Sequence, residues 1–365
     1  MISYVSWQPD AEVRLSSAAL EVAILPAHGG KIASLRAKAS GREWLAQPAS
    51  PLRVAPAYGS SFTAGDLCGW DEMMPTIVAC RYPSPDPARN VMLPDHGEAW
   101  TLEWKVLQKT SDSALMALDG RALPYRLERR VSLAGQGMRL AYQLTAASSE
   151  PLWLLWAAHP QFACAGGARV VLPGHVRALL DVTAPGQPSR RGWPGEAPGS
   201  VHALAPGEGR KLYVEPDVSV SRAALVDDEG NWLRMSWDPA SVPYLGIWLD
   251  NRAYAREPVA ALEPSTGFYD DLALAWRNGR VPRVRAGAPL RWWVEVTVGT
   301  GSCPLANPLP FPPRLFEKVG PAGTASVRPG TDILAARYLH VPYTSGSARN
   351  VSHVLRGCLQ PAGEK

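Results

Sequence analysis

Apolar and polar positions alternate with a period of two through most of this chain. Leu290, Trp292, Val294, Val296 and Val298 alternate with Arg291, Trp293, Glu295 and Thr297, which predicts a strand with one buried face. Met138, Leu140, Tyr142 and Leu144 set against Arg139, Gln143 and Thr145 predict a second, and residues 125–133 alternate in part. Residues 152–158 are almost wholly apolar, so they read as a central strand covered on both faces and ended by His159-Pro160. Shorter strands are predicted at 21–25, 31–36, 101–107, 169–172, 212–214, 222–226, 232–237 and 244–249. Helical spacing occurs at 268–278, where Leu272, Ala275 and Trp276 share a face and Asn278-Gly279 is a stop signal. Residues 46–92 and 183–210 are rich in Pro, Gly and Ser and read as loops. Many strands, few short helices and frequent turns predict an all-β fold, a large antiparallel β-sandwich. No internal repeat is visible.

Composition narrows the function classes. With 365 residues, the chain has room for one large all-β domain or two ordinary ones. The pattern weakens after about residue 300: 304–314 is proline-rich and 322–365 has little periodicity. A sandwich domain at 1–300 and a Pro-rich extension of unassigned role at 301–365 are therefore expected. The net charge is only +4, with no basic stretch interleaved with aromatics, so no nucleic-acid partner is expected. The first ten residues lack the basic start and apolar core of a signal peptide, and no run is long and apolar enough to span a bilayer. A cytoplasmic protein without a membrane partner is the expectation. The five cysteines are scattered and form neither a disulfide framework nor a CxxC metal site. Fourteen tryptophans are many for this length. Most should pack the core, though indoles also stack on sugar rings.

Three stretches carry candidate chemistry. Leu93-Pro94-Asp95-His96-Gly97-Glu98-Ala99-Trp100 holds a histidine on a Pro/Gly turn beside two carboxylates and an indole. Trp156-Ala157-Ala158-His159-Pro160 puts a second histidine at a strand end, and Leu262-Glu263-Pro264-Ser265-Thr266-Gly267 puts a carboxylate at a strand edge before a rigid turn. Trp70, Asp71 and Glu72, inside the long loop, suit a polar pocket or a buried indole with solvated acids. His28, before Gly29-Gly30, reads as a solvent-facing turn residue. A carboxylate and a histidine about one sugar ring apart can open a sugar hemiacetal by acid–base catalysis. The base takes the anomeric hydroxyl proton, the acid protonates the ring oxygen, and reclosure after rotation gives the other anomer. No metal, nucleotide or other cofactor is needed.

In order and context these segments resemble the aldose 1-epimerase (galactose mutarotase) superfamily over about residues 15–300. The resemblance rests on the early Gly-rich turn before Lys31, Leu-Pro-Asp-His-Gly-Glu-Ala-Trp, Ala-Ala-His-Pro, Leu-Glu-Pro-Ser-Thr-Gly and the last strand ending at Val298-Gly299. It implies a twisted supersandwich with a small-molecule sugar in a cleft on one sheet. Glu263 would be the base at the anomeric hydroxyl, His159 the acid at the ring oxygen, and His96 a second histidine polarising the sugar. Trp70, Asp71, Glu72 and Trp248 are the candidate sugar-binding residues. The family's hexose-6-phosphate branch often has arginine before the first histidine; here two acids stand there, which favours a neutral sugar because carboxylates repel phosphate. Arg81, Arg89 and Arg252 keep a hexose-6-phosphate epimerase open. The family's hydroxyl-binding Asp has no clear match.

Other readings compete. A carbohydrate-binding protein without turnover would use the same cleft. A metal site of His96, His159 and Glu98 lacks the spacing that puts two ligands on one helix face. A serine hydrolase would need a Gly-x-Ser-x-Gly elbow, which the chain lacks.

Overall fold

The computed structural model describes residues 12–49, 55–65, 67–84, 90–164, 166–184 and 186–305. Two antiparallel sheets dominate, one of eleven strands and one of eight. The expected all-β architecture is present, with one short α-helix, Leu272–Arg277, among the described residues. That helix is shorter than the 268–278 pattern predicts. Asp271, itself extended, caps it by accepting the Leu274 N–H at 2.6 Å, so the helix starts only at Leu272. Of the 301–365 extension, residues 306–365 lie outside the described residues. Residues 301–305 run on from the last strand, and Arg234 donates to the Pro304 carbonyl at 2.7 Å.

The predicted strands with the clearest alternation form the middle of the eight-stranded sheet. Gly137–Ala146 lies between Tyr125–Ala134 and Leu290–Thr300, with Tyr142 opposite both Arg129 and Trp292. The inward side chains pack into one large core. A buried ion pair sits within it: Glu72 accepts from Arg129 at 2.8 Å, the Tyr142 hydroxyl at 2.8 Å and Trp156 Nε1 at 2.6 Å.

Several expectations need correction. The strand expected at 101–107 is Lys105–Lys109, and the loop expected at 183–210 holds the strand Ser189–Gly192. The loop expected at 46–92 contains the strand Trp70–Met73, buried throughout. A burial pattern without alternation gave the sequence no period to show. The single strand expected at 152–158 is instead two short ones, Leu152–Trp153 and Ala157–Pro160, in different sheets. The strand expected to start at Leu212 begins four residues earlier, as Glu208–Val214.

The eleven-stranded sheet aligns side chains across strands. Lys31 follows from the Ile32–Trp70 register as the neighbour of Asp71, which lies opposite His159. Ala157 faces Ser265 and Phe162 faces Ala260, a register that sets His159 opposite Glu263. Glu263 faces Gly246, and Gly246 faces Tyr213. One transverse row therefore reads Lys31, Asp71, His159, Glu263, Gly246, Tyr213. Paired residues in antiparallel strands point to the same face, so the whole row lies on one side of the sheet.

Candidate active site

His159 and Glu263 meet in this row. His159 Nδ1 lies 3.0 Å from Glu263 Oε1, and its Nε2 lies 2.8 Å from Gln161 Nε2. With the amide donating to Nε2, the ring proton resides on Nδ1 and is donated to the carboxylate. Glu263 Oε2 accepts from the Lys211 ammonium. Gly246 leaves room for this arrangement, since a β-carbon there would stand 3.0 Å from Glu263 Oε2.

The electrostatics follow from burial and partners. Burial alone would raise the Glu263 carboxyl, but Lys211 and the His159 hydrogen bond outweigh it and hold the pKa at about 2. Burial lowers the His159 pKa below its usual value, against the opposing pull of Glu263. At neutral pH Glu263 is thus ionised and paired with Lys211, while burial and the Glu263 hydrogen bond pull His159 in opposite directions. The Tyr213 hydroxyl donates to Asp270 at 2.7 Å. Burial raises the Asp270 pKa, with Lys211 opposing.

His96 reaches the site from the predicted turn. Its φ is 57° and that of Gly97 is 71°, left-handed values that Gly tolerates best. A β-carbon on Gly97 would fall 2.1 Å from the Met74 carbonyl oxygen, so the turn packs backbone to backbone on the neighbouring strand. Asp95 Oδ1 lies 2.8 Å from His96 Nδ1, while its Oδ2 accepts the Phe62 N–H at 2.9 Å. The two imidazole centroids are 5.5 Å apart. Phe62, on the short turn Phe62–Ala64, stacks on His96 at 4.1 Å and meets His159 edge-on at 5.2 Å. Glu98 turns away from both histidines and binds the Tyr58 hydroxyl and the Arg121 and Ala122 N–H groups.

The structure thus brings His96, His159 and Glu263 together, with one change of geometry. The histidine and carboxylate are in contact, not a sugar ring apart. That contact suits the chemistry, because the anomeric hydroxyl and ring oxygen share one carbon. His159 and Glu263 also lie within strands, Ala157–Pro160 and Val259–Ser265, where a strand end and edge were expected.

The four expected sugar-binding residues divide. Side chains alternate along a strand, so Asp71 and Glu72 face opposite sides. Asp71 joins the row and pairs with Lys31. Glu72 points into the core, and burial raises its pKa despite Arg129. Trp70 is fully buried, packed edge-on against Phe162. Neither Trp70 nor Glu72 lines the site. Trp248 faces the same side as Glu263, opposite Lys211, and lies against Gly209 beside Tyr254. Arg81 and Arg252 are exposed, with Arg81 donating to Asn90 at 3.4 Å; Arg89 lies outside the described residues.

Sequence reasoning missed Lys211, Gln161 and Phe62. Lys211 was findable, because it alternates with Tyr213 once the strand is extended back to Glu208. Gln161 stands two residues after His159 and so on its face of the sheet. Phe62 sits in an irregular segment with no period to read.

No protein-family model matches the sequence, and no curated protein matches it. Solved structures do resemble the fold. A Synechocystis protein superposes with a TM-score of 0.63 at 17% identity, covering 82% of this chain and 99% of its own. A putative aldose 1-epimerase from Escherichia coli gives 0.61 at 15%, covering 79% and 99%. A galactose mutarotase-like protein from Lactobacillus casei gives 0.60 at 16%, covering 79% and 100%. The chain has the galactose mutarotase-like fold.

Proposed function

We propose that this protein is an aldose 1-epimerase-like enzyme that interconverts the anomers of a neutral aldose. The observation that carries the reading is the His159–Glu263 hydrogen bond at 3.0 Å, with His96 beside it. Glu263 takes the proton of the anomeric hydroxyl as C1 becomes a carbonyl and the C1–O5 bond breaks. His159 acts in its imidazolium form, which the hydrogen bond to Glu263 favours: it gives a proton to O5, which becomes a hydroxyl, and is left neutral. The sugar keeps its proton count, and the carboxylate gains the proton that the imidazolium loses. Their shared hydrogen bond allows the proton to return between turnovers. Reclosure on the opposite carbonyl face reverses each transfer. His96 polarises a sugar oxygen, and Lys211 keeps Glu263 ionised.

A second reading is a carbohydrate-binding protein without turnover. It is favoured by the engagement of both Glu263 oxygens and both His159 nitrogens within the protein. A base with a pKa of about 2 is also weak at neutral pH. Anomer exchange by NMR on a panel of neutral and 6-phosphorylated aldoses separates the two. Accelerated exchange of a neutral aldose, abolished by Glu263→Gln, is expected. Sugar resonances perturbed by the protein without faster exchange would favour the binding protein.

A further inference from the structure

Next to the candidate site lies a cavity of about 190 Å³ whose walls include His28, Lys31, Ser61, Phe62, Asp71 and Trp100. It shares two walls with that site. Asp71 is the strand neighbour of His159, and Phe62 stacks on His96. His28 therefore does not face open solvent as its turn position suggests. The turn is seated by Gly29, whose φ is 67° and where a β-carbon would stand 2.1 Å from the Trp100 carbonyl oxygen. That close approach brings His28 against the segment carrying His96.

The walls have a defined chemistry. Lys31 binds Asp71 and also donates to the Cys68 carbonyl at 2.8 Å, so the two wall charges offset each other. Hydrogen-bonding capacity is left over. Asp71 is 1% exposed, and its Oδ1 has no partner among the described residues; neither ring nitrogen of His28 has one there either. Buried polar atoms are nearly always satisfied; these three are covered, and the residues that carry them both line the cavity. Ser60 and Ser61 add hydroxyls, and Trp100 adds an indole. Hydroxyls that both donate and accept suit such walls, and sugar C–H faces suit an indole. The Asp71 carboxylate in the wall disfavours a phosphate or carboxylate there. The volume corresponds to roughly six waters of ~30 Å³ each, which suits a single pyranose ring with its hydroxyls.

We infer that this cavity is a second sugar subsite, binding one neutral glycosyl unit attached to the sugar that sits over His159 and Glu263. The direction of attachment rests on the proposed epimerase roles. In the row Asp71, His159, Glu263, the anomeric hydroxyl is at Glu263 and the ring oxygen at His159. The ring oxygen leads to C5 and its C6 arm, which points on toward Asp71. The glycosyl unit is joined through O6.

The test is calorimetric titration with glucose and galactose, with the 1→6-linked disaccharides isomaltose, gentiobiose and melibiose, and with the 1→4-linked maltose, cellobiose and lactose. At least one 1→6 disaccharide should bind about tenfold more tightly than its reducing-end monosaccharide, and more tightly than the 1→4 isomers. Ala64→Trp places an indole at the cavity wall from an exposed position. It should erase that gain while leaving monosaccharide affinity within about twofold. His28→Gln is the second variant should Ala64→Trp not fold, and should lower the gain. Equal binding of mono- and disaccharides, a larger gain for 1→4 linkage, tighter binding of glucose 6-phosphate, no sugar binding, or a gain that survives both variants would each overturn the subsite. Monosaccharide anomer exchange without a disaccharide gain would sink the subsite and leave the epimerase reading standing. A 1→6 gain without exchange of either sugar would do the reverse.

Discussion

At the scale of single residues, the site turns on how Lys211 and His159 share Glu263. The carboxyl pKa of about 2 lies below the ordinary 4.5. A depressed carboxyl contributes stability that is present above pH 4.5 and lost as pH falls toward about 2. Lys211→Met removes the ammonium, leaving burial opposed by His159 alone, so the carboxyl pKa rises. The expected outcome is that urea unfolding midpoints fall less steeply between pH 4.5 and pH 2 in the variant than in the wild type. Carboxyl ¹³C shifts of Glu263 should titrate at higher pH in the variant. An unchanged titration would mean that Lys211 does not set the ionisation of Glu263. Lys211 was passed over because the strand was expected to start at Leu212; extending it back to Glu208 puts the lysine two residues before Tyr213, on the face of Glu263. Pro94 and Gly97 about His96, Pro160 after His159 and Pro264 after Glu263 gave a local context, but it was the resemblance to the aldose 1-epimerase superfamily that singled these three out as candidates.

At the scale of elements, register decides which side chain each strand brings to the transverse row. The strand Tyr244–Asn251 contributes an absence, as Gly246 sits between Glu263 and Tyr213 in the row. A β-carbon there would stand 3.0 Å from Glu263 Oε2 and 3.1 Å from Tyr213 Cε1. Gly246→Ala must therefore push the carboxylate or the phenol aside by a few tenths of an ångström. We expect anomer exchange to drop about tenfold or more, because catalytic geometry tolerates little displacement. The urea unfolding free energy should change by only about 1 kcal/mol, because a single methyl group is accommodated by local shifts. Equal losses in both would make Gly246 a packing residue only. Alternating strands such as Leu290–Thr300 were plain in the sequence because one face meets the core and the other is more open. Trp70–Met73 was not, because covering both faces removes the period. The strand that carries Asp71 was therefore among those the pattern missed.

At the scale of the whole molecule, Glu72 ties the two sheets together. It belongs to the strand Trp70–Met73 of the larger sheet, and it accepts from Arg129 and Tyr142 on strands of the smaller. Both members of the ion pair have side chains 0% exposed. Arg129 also donates to the Gly30 carbonyl and lies 4.7 Å over the Trp104 ring. The sequence suggested sugar binding for Glu72 because acids beside an indole suit hydroxyls; alternation along the strand leaves only Asp71 of the two acids on the face of His159. A buried pair contributes little net stability when intact, but removing one partner leaves the other charge buried and uncompensated. Glu72→Gln keeps the shape and removes the charge facing Arg129. Urea denaturation should show a loss of about 3–5 kcal/mol, while monosaccharide affinity of the folded fraction stays within about twofold. A loss of affinity with little loss of stability would return Glu72 to the sugar. The expected outcome separates the acid that holds the sandwich closed from its neighbour Asp71, which faces the cavity.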